Sequence, residues 1–527
     1  MIIKKGFTCF FIIISLLLVL VSCNNESQPP VEKEHTCSYV QNGDTFIFTD
    51  ESPKYMIRYN SSPDKSVAIA DTGYIKSYST TIWGNTSEYP YSFNELSSRS
   101  LSKGLFTEEN EGVKITLTDS NYNIGEKRKF FVWDSDELGK ENYHEAELIL
   151  RVEGEHCLIW CEDGLVVSDD LLKTLQENFD RVYPLETALF GTCSDYTVKD
   201  KDTFITEANE KIYINIVSLK NKTVGGCFSP VDMYKASYIE KYNQESGSNY
   251  QTNEARMFYV NYSAEPSFID DMDGCISVLI HEFQHMLRFI CDTIVKGIET
   301  DVWYNEMMSL LAQDIFSGHL NLNIDSTAIK RLYFFKLLTN WGVTCWDTSD
   351  FYLWQASYSV SYAFGSYLLR NYGGAKLLAA LTDFSTAGTG KDVINNAFRK
   401  LGLKNKEGAP LTFEDAAADF HQICIYTSKE DAAKGHISLN REVKFNVGDI
   451  TITAPAINLL EVQSGLPFPY SEKITDEHYK GMQLYPYGFI LSDLTKEDEE
   501  SGEEPIKDAK KIVMQLPEDP AVQIYFY

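Results

Sequence analysis

Hydrophobic and polar positions alternate in short runs through the first third of the chain. "TFIFTD", "SVAIADTGYI", "VKITLTD", "RKFFVWD", "AELILRVEG" and "HCLIWCED" are each a few residues long and are broken by turn formers. This is the rhythm of strands and turns, and it predicts a β-rich N-terminal domain over 41–165. The period then changes. Over 169–183, Leu171, Leu172, Leu175, Phe179 and Val182 share one helical face, and Pro184 is the expected stop. Two strands are expected at Lys211–Ser218 and Arg256–Tyr262. From about 274 to 430 apolar residues recur three and four apart, as in "AIKRLYFFKLLTNW", "SYAFGSYLLRNYGG" and "FEDAAADFHQICIY", which predicts mostly helix. Strand-like runs return from about 437 and end in "AVQIYFY". The pattern as a whole is α+β. A catalytic region over 166–436 is expected between the N-terminal β domain and a β-rich C-terminal segment over 437–527.

The first residues carry an address. Lys4 and Lys5 precede an uncharged run from Phe7 to Ser22. At about 16 residues this run is short for a spanning helix and has the layout of an export signal. It ends in Leu20-Val21-Ser22-Cys23, which resembles the bacterial lipobox. That resemblance implies cleavage after residue 22 and acylation of Cys23, with 1–22 as signal peptide and 23–40 as the acylated cysteine and a polar, Pro-containing tether. The expected location is the bacterial cell envelope, with the lipid on Cys23 as membrane anchor.

Composition narrows the function. With 47 basic and 76 acidic residues the formal net charge is −29. Such a surface repels phosphate backbones, so no nucleic-acid partner is expected. Aromatic residues make up 13% of the 527 residues, enough to furnish several cores. Of the 11 cysteines, Cys9 and Cys23 belong to the signal and the anchor, which leaves an odd number, so at least one thiol is free or pairs between chains. Cys157 and Cys161 are too far apart along one strand to pair with each other.

The chemistry concentrates in "CISVLIHEFQHMLRFIC". Asp273 is a candidate helix cap. His281 and His285 are four apart, so both imidazoles project from one helical face and can reach one metal ion. Glu282 is offset by one position, close enough for a metal-activated water and badly placed as a ligand. This is the HExxH arrangement, with Glu282 as general base. A catalytic zinc takes three protein ligands and keeps one position open. Glu306, on the next helical segment "WYNEMMSLLAQD", is the candidate third ligand, and Zn²⁺ suits a His, His, Glu set. Asn305 and Asp314 are candidates to orient ligands. For the hydrogen-bond donor that stabilises the developing oxyanion, Tyr362 leads. Tyr358 lies on the same face, and His421 is a weaker choice.

These residues resemble the gluzincin metallopeptidases, most closely the hyicolysin-type family. The likeness rests on "HEFQHM" at 281–286, "WYNEMMSLLAQD" at 303–314, the Tyr-rich helix at 361–374 and the helix at 171–191, so it spans about residues 165–430. It implies a thermolysin-like zinc metallopeptidase domain in which His281, His285 and Glu306 bind zinc and Glu282 is catalytic. "YAFG" at Tyr362–Gly365 is similar to the donor-tyrosine motif of related aminopeptidases. Met307 and Met308 depart from the small residues that follow the Asn-Glu pair in related helices and are expected to narrow the pocket. In thermolysin-like proteases the edge strand before the zinc helix receives the substrate, and "RMFYVNY" is the expected edge here. The expected activity is hydrolysis of peptide bonds in extracytoplasmic proteins or peptides by a membrane-anchored zinc endopeptidase. The alternative is a catalytically degenerate protease-like lipoprotein that acts as a protein-binding surface module.

Overall fold

The computed structural model describes residues 36–42, 45–48, 53–72, 74–75, 112–120, 122–133, 142–264, 271–347, 349, 351–383, 388, 390–462, 468–471, 482–495 and 511–527. The signal segment 1–22, Cys23 and most of the tether lie outside them, as does most of the acidic stretch after 495. No described helix is long and apolar enough to cross a membrane.

The elements that build the centre of the molecule are, in chain order, β1 (Lys127–Trp133), β2 (Tyr143–Glu153), β3 (Cys157–Glu162), α1 (Asp169–Phe190), β4 (Ile212–Val217), β5 (Gly226–Cys227), β6 (Met257–Asn261), α2 (Met272–Phe289), α3 (Val302–Leu320) and α4 (Phe351–Asn371). The six strands form one mixed sheet in the order β5-β6-β4-β3-β2-β1. β3, β4 and β6 run parallel, with Ile159 opposite Ile214 and Ile214 opposite Phe258. β1, β2 and the two-residue β5 are antiparallel to their neighbours. The parallel strands are joined through helix-containing crossovers, as parallel pairing requires.

Period-two alternation assigns the two faces of this sheet. Cys157, Ile159, Cys161, Ile212, Ile214, Ile216, Phe258 and Val260 join the core of α1 and α2. Leu158, Trp160, Tyr213, Met257 and Tyr259 face the other way and close a second core with Phe130, Val132 and Leu148. Edge-on aromatic contacts hold that second core, such as Phe130 to Trp160 at 5.4 Å.

Several expectations shift. The boundary expected at 165 does not separate two sheets, because β1 to β3 pair into the same sheet as β4 to β6. The outer segments also share a sheet: Tyr55–Asn60 lies between Phe489–Asp493 and Val522–Phe526. Thus the N- and C-terminal β segments form common structure, a pairing across more than 400 residues of chain. Pro184 does not stop α1, which continues to Phe190. A proline inside a helix costs ~3 kcal/mol, and burial of Leu185, Leu189 and Phe190 beyond it contributes more than that, at roughly 1.5–3 kcal/mol per side chain. Asp271, not Asp273, caps α2: its side chain accepts from Gly274 N at 3.1 Å. Asp273 instead accepts from Asn323 N at 2.8 Å. Cys157, Cys161, Cys193, Cys227, Cys291, Cys345 and Cys424 are free thiols, all but Cys227 buried.

Helix α3 is the hinge of the packing. It lies on α2 on one side and α4 on another, and it is buried almost all round. A hairpin, Val443–Val447 with Ile450–Ala454, packs on its C-terminal half. Gly318 permits this approach, since a Cβ there would stand 2.5 Å from Thr453 O.

Candidate metal centre

Two helices aim three side chains at one point. On α2, Ile276, Leu279, Ile280, Phe283, Met286 and Leu287 are buried, and this packing fixes the rotation of the helix about its axis. That rotation directs His281 and His285 toward α3. The chain turns back through Ile290–Lys296 and Gly297, whose φ of 72° suits a residue without a Cβ. α3 then presents Glu306 to the two rings.

His281 Nε2 lies 3.1 Å from Glu306 Oε2, His285 Nε2 lies 3.0 Å from His281 Nε2, and His285 Nε2 lies 3.5 Å from Glu306 Oε2. A tetrahedral ion with bonds of ~2.0–2.2 Å requires ligand atoms about 3.3–3.6 Å apart. The observed triangle matches that spacing to within a few tenths of an ångström. No other trio of described His, Cys, Asp or Glu residues converges in this way. The donor set can therefore hold a metal ion, and two nitrogens with one oxygen suit a divalent transition metal.

The surroundings set the protonation needed for this. Ser309 Oγ donates to Gln284 Oε1 and lies 3.0 Å from His285 Nδ1. With its proton committed to Gln284, Ser309 accepts from Nδ1–H. Asn305 Oδ1, 3.2 Å from the same nitrogen, is a second acceptor. A proton on Nδ1 leaves the Nε2 lone pair free for a metal. Burial acts to raise the Glu306 pKa, but the two imidazoles outweigh it and hold the carboxyl well below the usual range. Burial acts to lower the His285 pKa, and Glu306 outweighs that and lifts it to about 9, so at neutral pH a metal ion must displace the Nε2 proton to bind.

Glu282 is buried beside the group and outside it. Its Oε2 accepts from Phe228 N at 2.7 Å. Burial raises its pKa, against the pull of the two histidines. Phe228 directly follows β5, which is packed so closely that a Cβ on Gly226 would lie 3.3 Å from Glu282 Cγ.

The other candidates are placed as follows. Asn305 reaches His285, as expected of an orienting residue. Asp314 does not reach a ligand; it forms a bidentate pair with Arg370 at 2.8 and 3.0 Å, both side chains fully buried. Tyr362 is fully buried, and the charges it feels after burial itself are those of Asp314 and Arg370. It is therefore directed away from the metal-binding trio. Tyr358, one turn earlier on α4, packs against Trp346 and Trp354 and under the Arg331 guanidinium; burial raises its pKa most, and Glu306 and Glu282 add to the shift. His421 Nε2 bonds Tyr527 Oη at 2.7 Å and is not brought to the trio. Met307 packs toward α4, where a Cβ on Gly365 would lie 2.6 Å from its Cγ. The glycine of "YAFG" therefore serves helix contact. Met257–Asn261 is an interior strand, and the edge next to the trio is β5. An apolar run such as "RMFYVNY" reads as interior or edge alike, and the two residues of β5 gave no pattern to find.

Sequence reasoning missed Ser309, which could have been found from its position three residues after Glu306 on one helix face. No protein-family model matches the sequence, and no curated protein is significantly similar to it.

Proposed function

We propose that the protein is a zinc-dependent peptidase anchored by lipid to the bacterial cell envelope and acting on extracytoplasmic proteins or peptides, with a thermolysin-like catalytic domain. The observation that carries this reading is the triangle of His281, His285 and Glu306 at tetrahedral spacing, with a separate carboxylate, Glu282, beside it. A zinc ion held there supplies a water of lowered pKa and polarises a peptide carbonyl.

The chain's own residues do the rest. Glu282 accepts a proton from the attacking water and can return it to the leaving amine. The Phe228 N–H holds one oxygen of its carboxylate, which orients the other. Ser309 and Asn305 keep His285 in the tautomer that binds metal. Tyr358 becomes the candidate donor toward the oxyanion in place of Tyr362, because Tyr362 is turned toward Asp314 and Arg370. The exposed side of β5 offers main-chain groups to an extended peptide. The mixed helix-and-strand architecture is compatible with that domain. The intact ligand trio and Glu282 speak against a degenerate binding module.

The test is metal content and casein hydrolysis for wild type and Glu282→Gln. One zinc per chain in both proteins is expected, with activity in the wild type alone and a fall of at least about a hundredfold in the variant. A wild type that binds zinc and cleaves no member of a peptide library would sink the proposal.

A further inference from the structure

Glutamine meets serine across the seam between α2 and α3 in two opposite senses. Gln313 Nε2 on α3 donates to Ser277 on α2, to its main-chain oxygen at 3.0 Å and to its Oγ at 2.8 Å. That amide uses its nitrogen to join the helices. Gln284 stands on α2 and meets Ser309 on α3 with its oxygen instead: the Ser309 hydroxyl donates to Gln284 Oε1. Gln284 is fully buried, and its Nε2 has no hydrogen-bond partner. An orphaned amide nitrogen in a core destabilises the fold. A methionine fills similar space without one, so packing alone does not account for a glutamine here.

The direction of the Ser309 proton does account for it. Ser309 Oγ also lies 3.0 Å from His285 Nδ1. A hydroxyl has one proton to give. With that proton on the bond to Gln284 Oε1, Ser309 faces Nδ1 as an acceptor and favours a proton there. Asn305 Oδ1, 3.2 Å from the same nitrogen, acts in the same sense. The ring then keeps Nδ1–H and leaves to the metal its Nε2, the atom that faces His281 and Glu306. An amide turned the other way, nitrogen toward Ser309, would make the hydroxyl a donor to Nδ1. The ring proton would then sit on Nε2 and block the metal position.

We propose that Gln284 is a positioning residue of the metal centre: its carbonyl oxygen fixes the direction of the Ser309 hydroxyl and, through it, the Nδ1–H form of His285. Gln284 touches neither metal nor substrate and acts through Ser309 alone. This rests on the zinc-site part of the proposed function and adds a residue one step behind the direct partners of His285. Groups that orient a ligand histidine change metal affinity about 10–100-fold. Asn305 remains as an acceptor when Gln284 is lost, so an effect of about tenfold, at the low end of that range, is expected.

The experiment measures zinc affinity by chelator competition for wild type, Gln284→Met, Gln284→Glu, Ser309→Ala and the double variant Gln284→Met with Ser309→Ala. Gln284→Met should bind zinc about tenfold more weakly and melt no lower than wild type, because the orphaned nitrogen is gone. Gln284→Glu restores an acceptor for the hydroxyl and should stay within about threefold of wild type. The double variant should bind as Ser309→Ala does, since a residue that acts only through Ser309 has no effect without it. An affinity of Gln284→Met within about threefold of wild type, or losses that multiply in the double variant, overturns the proposal. If Gln284→Met does not fold, Gln284→Glu decides: retained affinity supports the relay, and a fall of about tenfold overturns it. A second readout needs no metal. In metal-free protein with isotope-labelled histidine, the His285 Nδ1–H resonance is assigned by its loss in His285→Gln. It should be downfield and protected from exchange in wild type and Gln284→Glu, and lose that protection in Gln284→Met. If the wild type binds no zinc, the zinc-site reading fails separately and this resonance decides. Protection that depends on Gln284 supports the relay, and protection indifferent to it overturns the relay.

Discussion

Gly226→Ala tests the link between the edge strand and Glu282, the proposed general base. A Cβ at this position would lie 2.5 Å from Val278 Cγ1, 2.7 Å from Tyr259 O and 3.3 Å from Glu282 Cγ. Carbon-to-carbon contacts need ~3.5 Å and carbon-to-oxygen contacts ~3.3 Å. The shortfall is thus about 1 Å against α2 and ~0.6 Å against the neighbouring strand. Tyr259 O belongs to an interior strand and cannot yield, so β5 must move outward. Phe228 N moves with it, and its 2.7 Å bond to Glu282 lengthens past the ~3.2 Å limit of a good hydrogen bond. A catalytic group misplaced by ~1 Å loses about a hundredfold in rate, while overpacking costs ~1–3 kcal/mol of stability. The three ligand atoms do not touch Gly226, so metal affinity should stay within about threefold, whereas kcat falls by roughly a hundredfold. Peptide hydrolysis and zinc titration on the same preparation measure both. Activity within threefold of wild type, or an activity loss matched by loss of metal, would refute the reasoning.

Three further outcomes follow from the same geometry. Asp314→Asn leaves Arg370 charged and buried and should cost about 3–5 kcal/mol by denaturant unfolding while metal affinity hardly changes; a large loss of affinity would return Asp314 to an orienting role. Ser309→Ala removes an acceptor from His285 Nδ1 and should weaken zinc binding by ~10–100-fold in competition with a chelator, so an unchanged affinity would mean Asn305 alone orients the ring. Asp232 is buried among Tyr259 and Asn253, and burial, outweighing their hydrogen bonds, lifts its pKa from 3.8 to about 7. A raised acid pKa stabilises the fold when protonated, so its contribution is full below about pH 4 and is lost as pH rises to about 7, by ~4 kcal/mol. Asp232→Asn mimics the protonated acid and should gain on the wild type by about that amount between those limits. A constant difference in unfolding free energy across the range would show that Asp232 does not titrate there.

The amino-acid sequence by itself determined the trio that could hold a metal ion. Ligand positions four apart on a helix obey the 3.6-residue period, and that constraint is local, so His281 and His285 were legible from spacing, and Glu306 from the helical segment that follows. The face of α1, the strands β3 and β4, and the helical run from 274 onward were legible because their patterns are local too. What only the tertiary structure decided depends on contacts distant in sequence. Tyr358 and Tyr362 share a helical face, and no periodicity separates them. The packing of α4 against α3 sends one toward Glu306 and the other toward Asp314 and Arg370. Tyr55–Asn60 meets Phe489–Asp493 and Val522–Phe526, and strand patterns carry no mark of which partner they will find, because alternation fixes the face of a strand and not its neighbour. Pro184 continues a helix it would break in isolation, since the core around Leu185, Leu189 and Phe190 outweighs a lost backbone bond.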